Sequence, residues 1–393
     1  MSDALFFDLD KRLILAHNEQ MRLWRKLFTS IDIWLISAVI FITLLGLVTM
    51  YTFDGNNSYF EKQIAWIIIA VIGLAVSIIP DYRFLRMGNT TFYIYVITVM
   101  LLVLVLFVGE TVKGAQSRFD LVFFSLQPSD PAKLVLIAVL AKYFSKRHEL
   151  IGDFKYILVS GAYALLIFGL VFIQPDFGSA IILFSIWFGM VLVAGISFRH
   201  LLVVGTIGVV VFLGLWNFGF QEYQKERITT FLHPLADIQG SGYNAYQSTI
   251  AVGSGQFFGK GVGYGTQSKL QFLPEYETDF IFAAFAEEWG LVGVMLLFTL
   301  FGIVIWRLLY HALHGATNFE RLFATGVAIL FTSHFFVHIG MNIGLLPVTG
   351  TTVPFLSYGG SHLLTEFVGV GIVIAMARYT KQQYVAREPL ESM

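Results

Sequence analysis

Carboxylates crowd one short stretch of the sequence: Glu275, Glu277 and Asp279, followed by Glu287 and Glu288. The first three stand just where a long apolar run begins. An Asp there can cap a helix, a role worth about 1 kcal/mol, or it can work chemically at a membrane surface beside a groove. The crowding favours chemistry, because charges carried into an apolar span are costly and face a protein interior or a water-filled cavity. On a helix rising ~1.5 Å per residue, Glu287 and Glu288 fall about 12–14 Å beyond Asp279. At ~100° per residue Glu287 is turned roughly 80° from Asp279 and Glu288 to the opposite side. The two glutamates are therefore expected to tie helix to helix rather than to form an acid–base pair with Asp279.

Other candidates are scattered. Glycine tracts at Gly253–Ser254–Gly255 and Gly259–Lys260–Gly261–Val262–Gly263 could present backbone N–H groups to an anion, or form a flexible surface loop. His334 and His338 are four apart, on one helix face; that spacing suits a metal site lacking an identifiable third ligand, or interhelical hydrogen bonding. Glu366 stands alone in an apolar run and should have a buried partner, with the two histidines as candidates. Lys113 and Arg118 are cations between two apolar runs. There is no cysteine, which excludes a disulfide framework, a thiolate nucleophile and a zinc–thiolate centre.

The elements that must position these groups are membrane helices. Of 393 residues 56% are hydrophobic and 13% charged, against about 25% charged in a soluble domain, so lipid must be the outer solvent. The net charge of −1 argues against nucleic acid as a partner. Apolar runs mark an all-α, polytopic integral membrane protein with about ten spans, near 31–52, 62–80, 91–109, 131–145, 156–173, 177–195, 200–219, 280–307, 321–345 and 360–378. The fourth is short and interrupted by Lys133. Residues 1–30 form a cytoplasmic N-terminal arm, whose 13–28 stretch is either solvated or an interfacial amphipathic helix; 31–379 form the membrane domain and 380–393 a cytoplasmic tail. No cleavable leader is read ahead of the first span. Lys and Arg concentrate in the segments that share a side with the termini, which places both termini in the cytoplasm. The large loop 220–279, between spans seven and eight, is then extracytoplasmic, together with 110–130, the 174–178 turn and 346–359.

With this layout, the chain from Lys113 to Gly360 resembles the SEDS family (shape, elongation, division and sporulation). The matching stretches are Lys113–Gly114–Ala115–Gln116, Gln127–Pro128–Ser129–Asp130 with Lys133, Gln174–Pro175–Asp176–Phe177–Gly178, and Gln247–Ser248. They continue with Gly259–Lys260–Gly261, Phe272–Leu273–Pro274–Glu275, Thr278–Asp279–Phe280, Glu287–Glu288, Leu346–Pro347–Val348–Thr349–Gly350 and Ser357–Tyr358–Gly359–Gly360. Within the family, Gly265–Thr266–Gln267–Ser268 is closer to the elongation (RodA) type than to the division (FtsW) type.

The resemblance implies a peptidoglycan glycosyltransferase of the cytoplasmic membrane, active in cell elongation and shape maintenance. Its substrate would be lipid II, polymerised into β-1,4 glycan on the outer face. Asp279 matches the family's essential Asp and would take the proton from the acceptor hydroxyl. The substrate-binding residues would include Lys113, Arg118, Gln247, Ser248, Lys260, Glu275 and Ser357. The resemblance also implies a divalent cation, Mg or Mn, with no ligands identifiable, and a class B penicillin-binding protein as partner, alongside membrane lipid. Two other function classes fit the residues: a flippase or transporter of the lipid-linked precursor, and a non-catalytic scaffold. A transporter needs its charges along a path near the midplane, and a scaffold would tolerate Asp279→Asn.

Overall fold

The computed structural model describes residues 32–51, 58–112, 115–121, 124–147, 154–233, 242–270 and 272–391. The N-terminal arm and Lys113 lie outside the described residues. The helices are α1 (Ile33–Tyr51), α2 (Ser58–Ile78), the single turn α3 (Arg83–Arg86), α4 (Thr90–Val108), α5 (Ser129–Ser145), α6 (Phe154–Ile173), α7 (Phe177–Ala194) and α8 (Phe198–Gly214). They continue with α9 (Glu222–Leu232), α10 (Tyr243–Ser254), the short α11 (Thr266–Lys269), α12 (Ile281–His314), α13 (Asn318–Asn342) and α14 (Gly360–Glu391). Helix α14 therefore runs on through most of the segment read as a tail.

Among the described residues nine helices are long and apolar enough to cross a membrane, and the chain is a polytopic, all-α integral membrane protein. The expected fourth span, α5, has only 17 residues and carries Asp130, Lys133 and Lys142. It packs against α4, α6, α7, α13 and α14. A helix enclosed by protein can hold paired charges that a lipid-facing helix cannot. Elsewhere large apolar side chains such as Trp34, Phe107 and Phe198 point outward, as an apolar solvent permits.

Helix α12 leans on α13 and α1, and α14 on α2. Three elements sit between α4 and α5 where the sequence suggested only a loop: β1 (Glu110–Val112), β2 (Ala115–Leu121) and β3 (Phe124–Leu126). They form an antiparallel sheet in the order β1-β2-β3, with Phe119 opposite Leu126. Strands of three residues are too short to show an alternating pattern. The expected 220–279 loop is also largely structured, holding α9, α10 and α11.

Segments far apart in sequence gather at one end of the bundle. The Gln127 amide reaches Asp176 Oδ2 at 2.8 Å, Ser361 Oγ donates to the Gln127 carbonyl, and Gln63 bonds the Ser357 carbonyl. Asp176 also caps α7 through the Ser179 amide. At the other end Asp32 receives Arg307 Nε at 2.8 Å and lies 2.7 Å from His311 Nε2, so the start of α1 is tied to the last turns of α12.

Candidate active site

Helix α12 is interrupted. Gly290 has φ 64 and ψ −166 inside an otherwise helical run, a backbone state open essentially to glycine. The break releases hydrogen-bonding groups, and the 255–261 segment takes them: Lys260 N and Gly261 N donate to the Glu287 and Glu288 carbonyls, while Leu291 N and Val292 N donate to Gln256 and Phe257. A Cβ on Gly259 (φ +78) would overlap the Glu288 carbonyl. The glycine tract is therefore neither an anion cradle nor a loose loop. It splices the interrupted helix, with the Lys260, Gly261 and Gly263 amides spent on α12.

The side chains of α12 complete the splice. Glu287, fully buried, accepts from Lys260 Nζ at 2.6 Å, from Thr266 N and Oγ1 at 2.9 and 3.0 Å, and from Gln267 N at 3.1 Å. Glu288 accepts from Gly263 N at 3.0 Å. The expected helix-to-helix tie holds for Glu287, whose Thr266 and Gln267 donors open α11, while Glu288 and the Lys260 contact join α12 to the loop before it. Period arguments give a residue's direction but not what the chain folds back to meet it.

The acidic turn is built differently. Glu275 has φ 53, and its carbonyl accepts from both Thr278 N and Phe280 N. The N-cap position of α12 falls on Phe280, one residue past Asp279, so the capping reading of Asp279 is set aside. Asp279 is half-buried. Its carbonyl accepts from Asn342 Nδ2 at 3.0 Å. Its neighbours are held likewise: Ser357 Oγ donates to the Thr278 carbonyl at 3.0 Å and Tyr358 N to that of Glu277 at 2.9 Å. A Cβ added at Gly350 would stand 3.4 Å from Asp279 Oδ2, which places the carboxylate beside the 346–359 segment.

Asn342 is the residue that sequence reading missed. It ends α13, bonds the Asp279 and His338 carbonyls through Nδ2, and accepts the Ala283 amide at Oδ1. Ser248, fully buried, donates to the Asn342 carbonyl at 2.8 Å. An amide side chain at the end of an apolar span, four residues after His338, was the available signal.

The remaining candidates fall as follows. Arg118 is exposed on β2, within electrostatic reach of Tyr358. Burial, with Tyr59 and Glu277, pushes the Tyr358 hydroxyl above its usual range, against the opposing pull of Arg118. This brings the sheet, the acidic turn and the 346–359 segment to one place, with Tyr59 and Tyr358 edge to face at 5.1 Å. Gln247 is half-buried on α10, one residue from Ser248. Lys260 is held by Glu287 and Thr266, Glu275 by its own turn, and Ser357, buried, by Thr278.

Beneath this surface lies a buried polar ladder. Lys133 Nζ is 3.1 Å from Asp130 Oδ1; His362 lies 3.5 Å from the same oxygen and 2.7 Å from Glu366 Oε1. The buried partner expected for Glu366 is thus His362, one turn earlier on α14, and not His334 or His338. Those two donate from Nδ1 to the Thr352 and Thr351 carbonyls at 3.1 and 2.8 Å. Among the described residues no three His, Asp or Glu side chains gather to hold a metal ion. Two small clefts lie at the opposite end, lined by residues such as Arg83, Glu320 and Met376, or His311 and Ala324.

Comparison with known proteins agrees with this geometry. A family model described as "Cell cycle protein", covering FtsW, RodA and SpoVE, matches residues 25–382. The chain is similar to Stage V sporulation protein E of Bacillus subtilis (strain 168), 33% identical over 90% of this chain and 98% of that protein. It is 40% identical to the peptidoglycan glycosyltransferase MrdB of Escherichia coli (strain K12) over 74% of this chain and 78% of that one. A solved chain from a peptidoglycan synthase complex that coordinates polymerization and crosslinking superposes with a TM-score of 0.76 at 30% identity, covering 88% of this chain and 98% of that chain. The chain belongs to the FtsW/RodA/SpoVE family, the SEDS membrane proteins.

Proposed function

We propose that this protein is a peptidoglycan glycosyltransferase that polymerises lipid II at the outer face of the cytoplasmic membrane, with Asp279 as general base. The observation that carries the reading is the acidic turn itself. Asp279 is half-buried at the head of α12, gripped through its backbone by Asn342 while Phe280 takes the capping position. Helix-end carboxylates that serve stability occupy the cap; this one stands outside it, where several distant segments converge.

The chemistry follows from the groups present. The Asp279 carboxylate takes the proton from the acceptor sugar hydroxyl as that oxygen attacks the donor's anomeric carbon. The bond to pyrophosphate breaks with inversion, and the leaving oxygen needs no protonation, unlike the leaving group of a glycosidase. Its growing charge calls for cations; Arg118, exposed on β2, is proposed for that role together with Lys113. A divalent cation, Mg or Mn, is part of the proposal and would supply further positive charge to the leaving group. Loss of activity in EDTA with recovery on adding metal is the expected result.

Three finer points belong to the same reading. The Gly265–Thr266–Gln267–Ser268 stretch supports a role in cell elongation rather than division. The Lys and Arg distribution supports cytoplasmic termini. A class B penicillin-binding protein is the proposed partner, supported by the similar chain's membership of a synthase complex.

The test incubates purified protein with labelled lipid II and divalent metal, with and without the transpeptidase partner, and reads glycan length on a gel. Asp279→Asn should insert and fold yet make no polymer. Normal glycan from that variant would sink the assignment.

A further inference from the structure

We propose that Glu366 and His362 are positioning residues for Asp279, acting through Phe355 and Ser357 on the Thr278 carbonyl. The proposal rests on reading Asp279 as the base.

A continuous path of contacts carries it. Glu366 Oε2 accepts the Phe355 amide at 2.9 Å. Phe355 has φ 65, the left-handed region that a residue with a bulky side chain holds only when its surroundings over-determine it. Those surroundings are present: its ring is buried edge to face against Phe331 at 5.0 Å and Phe367 at 5.7 Å. The bend at Phe355 lets Ser357 Oγ accept the Val353 amide at 2.9 Å while donating to the Thr278 carbonyl at 3.0 Å. Thr278 immediately precedes Asp279.

The ladder fixes the acceptor at the base of this path. Glu366 is only 2% exposed, and a carboxylate there needs partners. His362 stands 2.7 Å from its other oxygen and 3.5 Å from Asp130, itself paired with Lys133. Glu366 Oε1 faces His362 Nε2 as an ion-pair contact without hydrogen-bond geometry, while Oε2 takes the Phe355 amide. A carboxylate in an apolar helix, costly in itself, is thus turned to holding one strained amide a short way from the reacting group.

Hydrogen exchange and kinetics on the full-length protein test this together. In Glu366→Leu, exchange in 353–358 and 278–280 should rise about tenfold or more, as expected when a buried amide loses its acceptor. Its kcat should fall at least about tenfold with KM within about twofold, the signature of a misplaced base rather than a lost contact. Glu366→Gln keeps an oxygen for the Phe355 amide and should return both readings to within about threefold of wild type. Ser357→Ala should repeat the signature on a smaller scale; with Glu366→Gln it keeps the test available if Glu366→Leu does not fold. Wild-type exchange in both segments of Glu366→Leu, or Glu366→Gln as impaired as Glu366→Leu, overturns the proposal. So does a raised KM with unchanged kcat in Ser357→Ala. Exchange is read whether or not the protein polymerises substrate, so failure of the base assignment and failure of the positioning path give different results.

Discussion

Two carboxylates near the head of the same helix are held in opposite ways. Glu287 is fully buried, and its oxygens collect donors from Lys260, Thr266 and Gln267. Asp279, two turns earlier and half-buried, is gripped by its backbone, with Asn342 on its own carbonyl and Ser357 and Tyr358 on those before it. A carboxylate saturated with donors is a joint: its charge stabilises the fold and is unavailable to a substrate. Immobilising the main chain around Asp279 fixes where its carboxylate stands, which is what the base role proposed for it requires.

The sharpest way to break that contrast is to neutralise each in turn. Asp279→Asn should lower polymerisation about 10³-fold, within the range for a lost general base, with its melting temperature close to wild type. Glu287→Gln should do the reverse: removing one partner of a buried ion pair costs about 3–5 kcal/mol, read as a large drop in melting temperature and faster proteolysis between 255 and 269. Equal melting losses in the two variants would erase the distinction.

Asn342→Ala comes next, because it frees the Asp279 carbonyl and orphans the Ala283 amide. A stability loss of about 1–3 kcal/mol is expected, with kcat falling more than KM rises. A variant with normal kcat would show that Asp279 does not depend on this clamp. Lys260→Met separates the two roles given to that lysine. As part of the joint it should lower the melting temperature by less than Glu287→Gln does, since Glu287 keeps its backbone donors. A raised KM at unchanged melting temperature would instead return Lys260 to the substrate.

The smallest effect is at the far end of α12. Burial would raise the Asp32 carboxyl, but hydrogen bonds from His311, Arg307 and the Leu35 amide hold it down to about 2. A carboxyl lowered in the folded state contributes stability above its ordinary value of 3.8 and loses it as pH falls through about 2. Asp32→Asn should therefore melt below wild type at pH 7, and the gap should close as pH drops from about 4 to about 2. A gap independent of pH would assign the loss to packing.

The apolar runs fixed membrane insertion, the helix class and nearly every span, because lipid exposure leaves a long uninterrupted signal. The motif stretches placed Asp279 among the chemical candidates. The apolar run of α5 was read as short and interrupted by Lys133; the helix is continuous, and its enclosure by other helices, which lets it hold those charges, was not legible. The three-residue strands β1 and β3 were too short to see. His362 was passed over although it stands four residues before Glu366, since a histidine near a span's start carries no signal by itself.

What the sequence by itself determined was the solvent, the helices and the identity of the acidic turn: these depend on residue type and on spacing within one segment. The tertiary structure alone decided which segments each group joins. Glycines that look like an anion loop become the splice of a broken helix, Glu287 finds its helix partner in α11 and Glu288 a loop partner in Gly263, and Asn342 becomes the clamp on the Asp279 carbonyl. Each of those outcomes depends on hydrogen bonds between segments tens of residues apart, and a donor's partner across such a distance is set by how the chain packs, not by the residues beside it.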